Sequence, residues 1–247
     1  MPQPAAGGSM GRLVSPMSII DLQNCGGRTI PANARGDRTR DRLLDALEAI
    51  AATAGIGALS HRAVARQAQL NAGLIHYHFG TLDQLLEGAL ARRAARLSRA
   101  QLSAISQLMA RGNWTVDDIV AALWQPFSVL GSPVDGGWRN YLCLIARLST
   151  DERGDELLRR HFDDVMRAAH RALRFVLPDT SDELIGAGLR FTRTLFEQEA
   201  QSRCRKEYAT ERRAEDDRRL VAYASAGLRE LARPPTRVAP LRMSGIA

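Results

Sequence analysis

Between Ser60 and Phe79 the chain gathers residue types that grip a nucleic-acid duplex. Ser60, Arg62, Asn71, His76 and Tyr77 supply hydroxyl, guanidinium, amide, imidazole and phenol groups, and Ala72, Gly73 and Leu74 supply small or apolar neighbours. Their chemistry is hydrogen bonding and charge rather than bond breaking. Hydroxyl, guanidinium and backbone amide groups at the start of a helix suit phosphate oxygens. Outward apolar and aromatic side chains read thymine methyls and groove shape more than guanine edges. Gly73 lets a neighbouring backbone come close. The spacing His76-x-His78 invites a metal reading, but two residues apart on a helix the rings diverge and no third ligand is evident. With no phosphate-binding glycine loop and no nucleophile elbow in the chain, neither catalytic residues nor a cofactor are expected.

Two short helices must position these groups. Ser60 is placed to cap the first, whose apolar positions Ala63, Val64 and Ala68 fall on one face. Gln69-Leu70-Asn71 then forms a three-residue turn, with Leu70 as the apolar plug. Asn71 caps a second helix running from Ala72 to about His78, and the pair makes a helix-turn-helix.

The stretch resembles the N-terminal domain of TetR-family transcriptional regulators. Their pattern runs Thr-x-Arg-x-Val-Ala-x-x-Ala-Gly-Val-Ser-x-Gly-x-Leu-Tyr-x-His-Phe-x-x-Lys-x-x-Leu. Ser60, Arg62, Val64, Ala65, Ala68, Leu70, Asn71, Gly73, Ile75, His78, Phe79 and Leu85 match it or substitute conservatively, within a resemblance that covers Arg38 to Leu90. Three positions depart: Gln69 stands for the turn glycine, His76 for the usual tyrosine, and Leu82 for the lysine that opens the fourth helix and touches a phosphate. A non-glycine residue at 69 asks for a strained or shifted turn.

The resemblance implies an all-α chain, with a three-helix DNA-binding head followed by a larger helical ligand-binding and dimerisation domain. It further implies a dimeric regulator, most often a repressor, released from a palindromic operator by a small hydrophobic molecule. The expected partners are double-stranded DNA, a hydrophobic or acyl-type effector and a second copy of the chain, with no membrane, in a bacterial cytoplasm. A helical protein–protein adaptor whose head has lost specific DNA binding is the alternative, motivated by Gln69 and Leu82.

The charge distribution suits a DNA-binding front end. Residues 37 to 110 carry nine Arg and six acidic residues (+3), whereas 111 to 232 carry nineteen basic and twenty acidic residues (−1). Residues 1 to 36 read as a disordered arm whose Arg28 and Arg35 are able to reach a minor groove, and 233 to 247 as a disordered tail. The head then spans 37 to 80 and the second domain 81 to 232. Cys25, Cys143 and Cys204 are odd in number and scattered, so neither a zinc site nor a disulfide framework follows, and Cys143 reads as a small core residue.

Apolar periodicity predicts a first helix from Asp37, ended by Gly55-Ile56-Gly57, which supports the head. A long helix follows from a Thr81 cap to about Arg111, with Arg92, Arg93, Arg96 and Arg99 on a solvated face. Further helices are expected over Thr115 to Leu130, kinked or ended at Pro126, then Ser132 to Thr150, Asp155 to Leu177, from Ser181 through Phe196, and Leu220 to Leu231 after a charged segment at 203–219. Trp124, Phe127, Trp138, Tyr141, Phe162, Met166 and Phe191 are the candidates to line an apolar cavity. The last two helices are expected to pair with those of a second copy through Leu184, Leu189, Leu195, Leu220 and Tyr223.

Overall fold

The computed structural model describes residues 34–131, 136–204 and 213–233, and among them there are nine α-helices and no strand. The expected arm and tail otherwise lie outside the described residues. In chain order the helices are α1 Ala34–Ala54, α2 His61–Ala68, α3 Gly73–Phe79, α4 Leu82–Ala110, α5 Val116–Leu130, α6 Gly136–Leu148, α7 Gly154–Val176, α8 Asp182–Arg203 and α9 Arg213–Leu231, with a 3-10 turn over Ile56–Ala58. No helix among the described residues is long and apolar enough to cross a membrane.

Local chemistry sets the helix starts. Ser60, Thr81, Thr115 and Ser181 each accept a hydrogen bond from the backbone N–H three residues on. At Thr81 and Thr115 a side chain reaches back, Gln84 and Asp118 respectively, closing capping boxes that satisfy two otherwise orphaned donors. Side-chain caps of this kind stabilise a helix by about 1 kcal/mol each.

Two apolar cores follow from these helices. The first joins α1, α2, α3, the N-terminal half of α4 and α6, through Leu43, Leu47, Val64, Ile75, Phe79, Leu86 and Tyr141. The second joins the C-terminal part of α4 to α5, α7, α8 and α9, through Ile105, Ile119, Leu123, Val165, Leu173 and Leu228. α4 therefore takes part in both. At 29 residues it spans roughly 44 Å at 1.5 Å per residue.

Several expectations are corrected here. α1 begins at Ala34, three residues early, so Arg35 lies in a helix. α5 runs through Pro126 to Leu130 instead of ending there, with Pro126 buried. The last helix starts at Arg213 rather than Leu220, because Asp217 faces inward and bonds other helices; residues 205–212 of the charged segment lie outside the described residues. Arg92 and Arg93 do not form a solvated face. They turn inward toward Glu48, an acid on the buried stripe of α1 that is only 1% exposed.

The scattered cysteines are corrected as well. Cys143 of α6 and Cys204, at the end of α8, form a disulfide across 61 residues, with their Cα atoms 5.9 Å apart. Helix pairing brings them together, which spacing along the chain does not reveal. Cys143 is, as expected, buried in the core.

Candidate functional site

The head is built on a tight turn. Gln69 takes the left-handed conformation (φ 55°, ψ 46°) and is the one non-glycine residue with positive φ among the described residues. An L side chain there costs about 1–2 kcal/mol. The strained turn is bridged from α1: Arg42 donates from Nη2 to the Ala68 carbonyl at 2.6 Å and lies 3.4 Å from that of Gln69. This places a cation at the C-terminal end of α2, where carbonyl dipoles favour it.

On the far side of the turn, Asn71 Oδ1 accepts from the Gly73 amide at 2.8 Å and starts α3. Ile75 and Phe79 then point into the core, and Phe79 is covered on its outer side by the Arg40 guanidinium 4.1 Å above the ring. That burial fixes which side chains of α3 face outward. Tyr77 is 82% exposed, and His76 is exposed beside it. His76 is also oriented, since its Nδ1 lies 2.8 Å from the Gly80 carbonyl and its ring stacks on His61 with centroids 4.7 Å apart.

The proposed contact residues are thus brought to one end of the chain. Ser60, Arg62, Asn71, Gly73, His76 and Tyr77 are exposed, while Ala72 and Leu74 are half-buried and pack partly against the first core. Ser60 Oγ accepts from Ala63, which leaves its hydroxyl proton for an outside acceptor.

A second candidate site lies in the other half of the fold. A partly open cavity of about 80 Å³ lies between α4, α5, α6, α7 and α8, walled in part by Leu97, Leu123, Phe127, Phe162 and Met166. The polar side chains of the lining are Gln101, Arg159, Asp163, Thr192, Arg193 and Glu197. Gln101 donates from Nε2 to the Leu123 carbonyl at 2.8 Å, which fixes the sense of its amide, and its Oε1 is buried without a protein partner. Glu197 is paired with Arg193 at 3.2 Å, and burial pushes its carboxyl above the usual range.

Of the seven residues expected at the cavity, Phe127, Phe162 and Met166 line it. Trp124 stands behind the wall, fully buried, stacked on Phe127 and tilted against Phe196, because its indole N–H is drawn to Asp217 at 2.5 Å. Trp138 and Tyr141 belong to the first core, where the Tyr141 hydroxyl donates to the Leu90 carbonyl at 2.8 Å. Phe191 is 60% exposed and lies on the outside of α8. Of the expected pairing residues, Leu184 and Tyr223 are exposed while Leu189 is buried in the second core.

Between head and cavity lies a group that periodicity alone does not single out. Glu48 accepts from Arg92 at 2.7 Å and sits 3.6 Å from Arg93 Nε, and Arg92 also bonds Asp45 at 2.6 Å. Burial lifts the Glu48 carboxyl above its ordinary value despite both cations. The signal for it was an acid in register with Leu44 and Ala51 on one helix face.

Two family descriptions match the sequence. Residues 43–89 match "Bacterial regulatory proteins, tetR family", and residues 121–227 match "Tetracyclin repressor-like, C-terminal domain", together more than half of the chain. No curated protein matches the chain significantly. Among solved structures, a Rhodococcus sp. protein assigned to the TetR-family transcriptional regulators superposes with a TM-score of 0.53 at 19% identity, over 76% of this chain and 99% of that one. The multidrug binding protein EbrR, complexed with malachite green, gives 0.52 at 20% identity over 78% and 96%. Mycobacterium smegmatis AmtR gives 0.50 at 21% identity over 85% and 100%. At these identities the likeness is one of fold.

Proposed function

Because the chain belongs to the TetR family of bacterial regulatory proteins, we propose that it is a ligand-responsive transcriptional regulator that binds operator DNA as a homodimer. The observation that carries this reading is the outer face of α3. A helix anchored by Ile75 and Phe79 holds Tyr77 out into solvent, 82% exposed, next to an oriented His76. A large aromatic left this bare on a seven-residue helix, with its ring set against His78, fits a groove edge. Tyr77, His76 and Leu74 then meet base edges, and Ser60, Arg62 and the backbone near Asn71, Ala72 and Gly73 meet phosphates. One such helix contacts few base pairs, so two copies on a palindromic site supply the discrimination. Exposed Leu184, Phe191 and Tyr223 on α8 and α9 support a pairing face there.

Effector control follows from α4, which reaches from the first core to the cavity through Leu97 and Gln101. The effector is hydrophobic, of acyl or aromatic type, with a hydrogen-bond donor for Gln101 Oε1. Because 80 Å³ is well below the several hundred Å³ that drug-sized ligands occupy, its entry parts α4 from α7. That motion is passed to α1 through Arg92 and Glu48, changing the spacing of two heads and releasing the operator, as a repressor does. The protein acts in the cytoplasm, where the operator is.

Fluorescence anisotropy of the full chain against duplexes from the region upstream of its own gene, with competitor DNA present, tests the reading. Saturable binding by two protomers, lost in His76→Ala/Tyr77→Ala, is expected. Equal, salt-sensitive binding to every duplex would replace it with the adaptor.

A further inference from the structure

Beyond the effector cavity, the disulfide at the α6–α8 junction is a site with chemistry of its own. Cys143 lies on the helix that braces the head. From α6, Arg147 donates to the Ala52 carbonyl of α1 at 3.2 Å, Tyr141 to Leu90 of α4, and Trp138 lies under Arg93 at 5.3 Å. Cys204 ends the helix whose Leu189, Thr192 and Phe196 wall the cavity. The bond therefore tethers the brace of the head to a wall of the effector site.

The surroundings suit thiol chemistry in both oxidation states. A second cavity of about 20 Å³, room for a molecule the size of water or peroxide, is lined by both cysteines together with Arg139, Arg203 and Arg213. Arg139 donates to the Cys204 carbonyl at 2.9 Å. Of these cations, Arg203 is also paired with Glu199 and Asp217. Nearby guanidinium groups favour thiolate over thiol, and the thiolate is the reactive form. When reduced, the Cys204 thiol has an acceptor in place, since its Sγ lies 3.1 Å from the Ala200 carbonyl, and Cys143 is buried beside it. Cys204 is the more accessible of the two.

We propose that Cys143 and Cys204 form a reversible dithiol–disulfide couple, oxidised by hydroperoxides, that sets how firmly α8 is held to α6 and thereby adjusts DNA affinity. That last step rests on the DNA-binding reading above, as does the reducing compartment; the reaction of the two sulfurs with peroxide does not. A permanent staple is uncommon in a reducing compartment, where disulfides are mostly transient and redox-sensing. The Cys204 thiolate attacks hydrogen peroxide, the O–O bond breaks, and a sulfenic acid forms as hydroxide leaves. The Cys143 thiolate then displaces hydroxide from that sulfur, making the S–S bond. Two thiols and one peroxide become one disulfide and two waters, and a dithiol reductant returns two electrons and two protons.

The test uses the full chain with Cys25→Ser, incubated in millimolar reduced glutathione and then exposed to hydrogen peroxide. Thiol counting and peptide mass spectrometry are expected to show two free thiols becoming a 143–204 cross-link. In Cys143→Ser the sulfenic acid on Cys204 should accumulate and be trapped by dimedone, while Cys204→Ser should give no adduct at Cys143. Hydrogen exchange of α1 and α6 amides is expected to slow on oxidation. On a selected duplex, oxidation should change DNA affinity at least threefold in the parent and not in either serine variant. A bond that survives glutathione, a dimedone adduct on Cys143 instead of Cys204, or unchanged exchange would each overturn the couple. Loss of DNA binding in both redox states with the cross-link and exchange change intact would instead overturn the DNA-binding reading.

Discussion

Glu48 of α1 meets Arg92 of α4 at 2.7 Å with its own side chain almost wholly enclosed, so the helix that supports the reading head and the helix that reaches the cavity are joined by a buried ion pair. Taking charges out of water is costly, and here the cost is visible in the raised carboxyl pKa of Glu48. Arg92, for its part, is held more firmly protonated by the same contact.

Removing one partner should hurt far more than neutralising the other. Arg92→Met leaves the buried Glu48 carboxylate with the longer 3.6 Å contact to Arg93 and is expected to lower stability by about 3 kcal/mol at neutral pH, read from the urea midpoint. Glu48→Gln keeps the volume and should cost less than half as much.

The pH dependence of the same pair has a definite sign. A carboxyl whose pKa is raised on folding binds its proton more tightly in the folded chain, so its contribution favours folding at low pH and is lost as pH rises above the ordinary 4.5 through the raised value. Relative to wild type, Glu48→Gln should therefore gain stability across that window and hold a constant difference above it. A difference that instead falls with rising pH would contradict the assignment.

Gln69→Gly relieves the left-handed strain in the turn and is expected to raise stability by about 1 kcal/mol, or 2–4 °C in Tm for a chain of this size. Arg42→Ala in the same background should remove more than Gly restores, because the Ala68 carbonyl loses its donor at 2.6 Å. Differential scanning calorimetry of the two single variants and the double variant separates the terms.

At Gly154 the first turn of α7 meets the end of α6 so closely that an added Cβ would fall on the Leu148 carbonyl oxygen. Gly154→Ala must shift backbone and is expected to cost about 2–3 kcal/mol, whereas Gly57→Ala, with open space around it, should be nearly silent. Thermal melts of both decide it.

An effector seated in the cavity would press on Phe127 and so on Trp124 stacked behind it. Titration with medium-chain acyl and small aromatic compounds should change tryptophan emission in the wild-type chain, and the change should vanish in Trp124→Phe.

Much of this architecture was legible in residue order, for reasons that differ from element to element. Ser60, Thr81 and Thr115 announce helix starts because capping is local, and the turn strain at Gln69 follows from one missing glycine. What escaped depends on distant partners. Glu48 is a single acid on an apolar face until Arg92 and Arg93 arrive from more than forty residues away. Trp138 and Tyr141 pack against the same core as Phe127 and differ from it in not reaching the cavity, and Cys143 has no visible partner until α6 and α8 pack. Phe191 shows the limit most plainly, since an aromatic on an amphipathic helix looks the same whether it lines a cavity or faces solvent.

Asp217 accepts from Trp124 and Ser128 of α5 and pairs with Arg203 of α8 at 2.6 Å. Three helices thus meet at one carboxylate, and it locks the rotational phase of α9 about its own axis: Ala224 and Leu228 are committed inward and Tyr223 outward. Asp217→Leu would leave the helix in place but free to turn, like a key whose teeth no longer index. Any geometry between two copies of the chain that relies on Tyr223 would then be lost as a matter of alignment rather than of affinity.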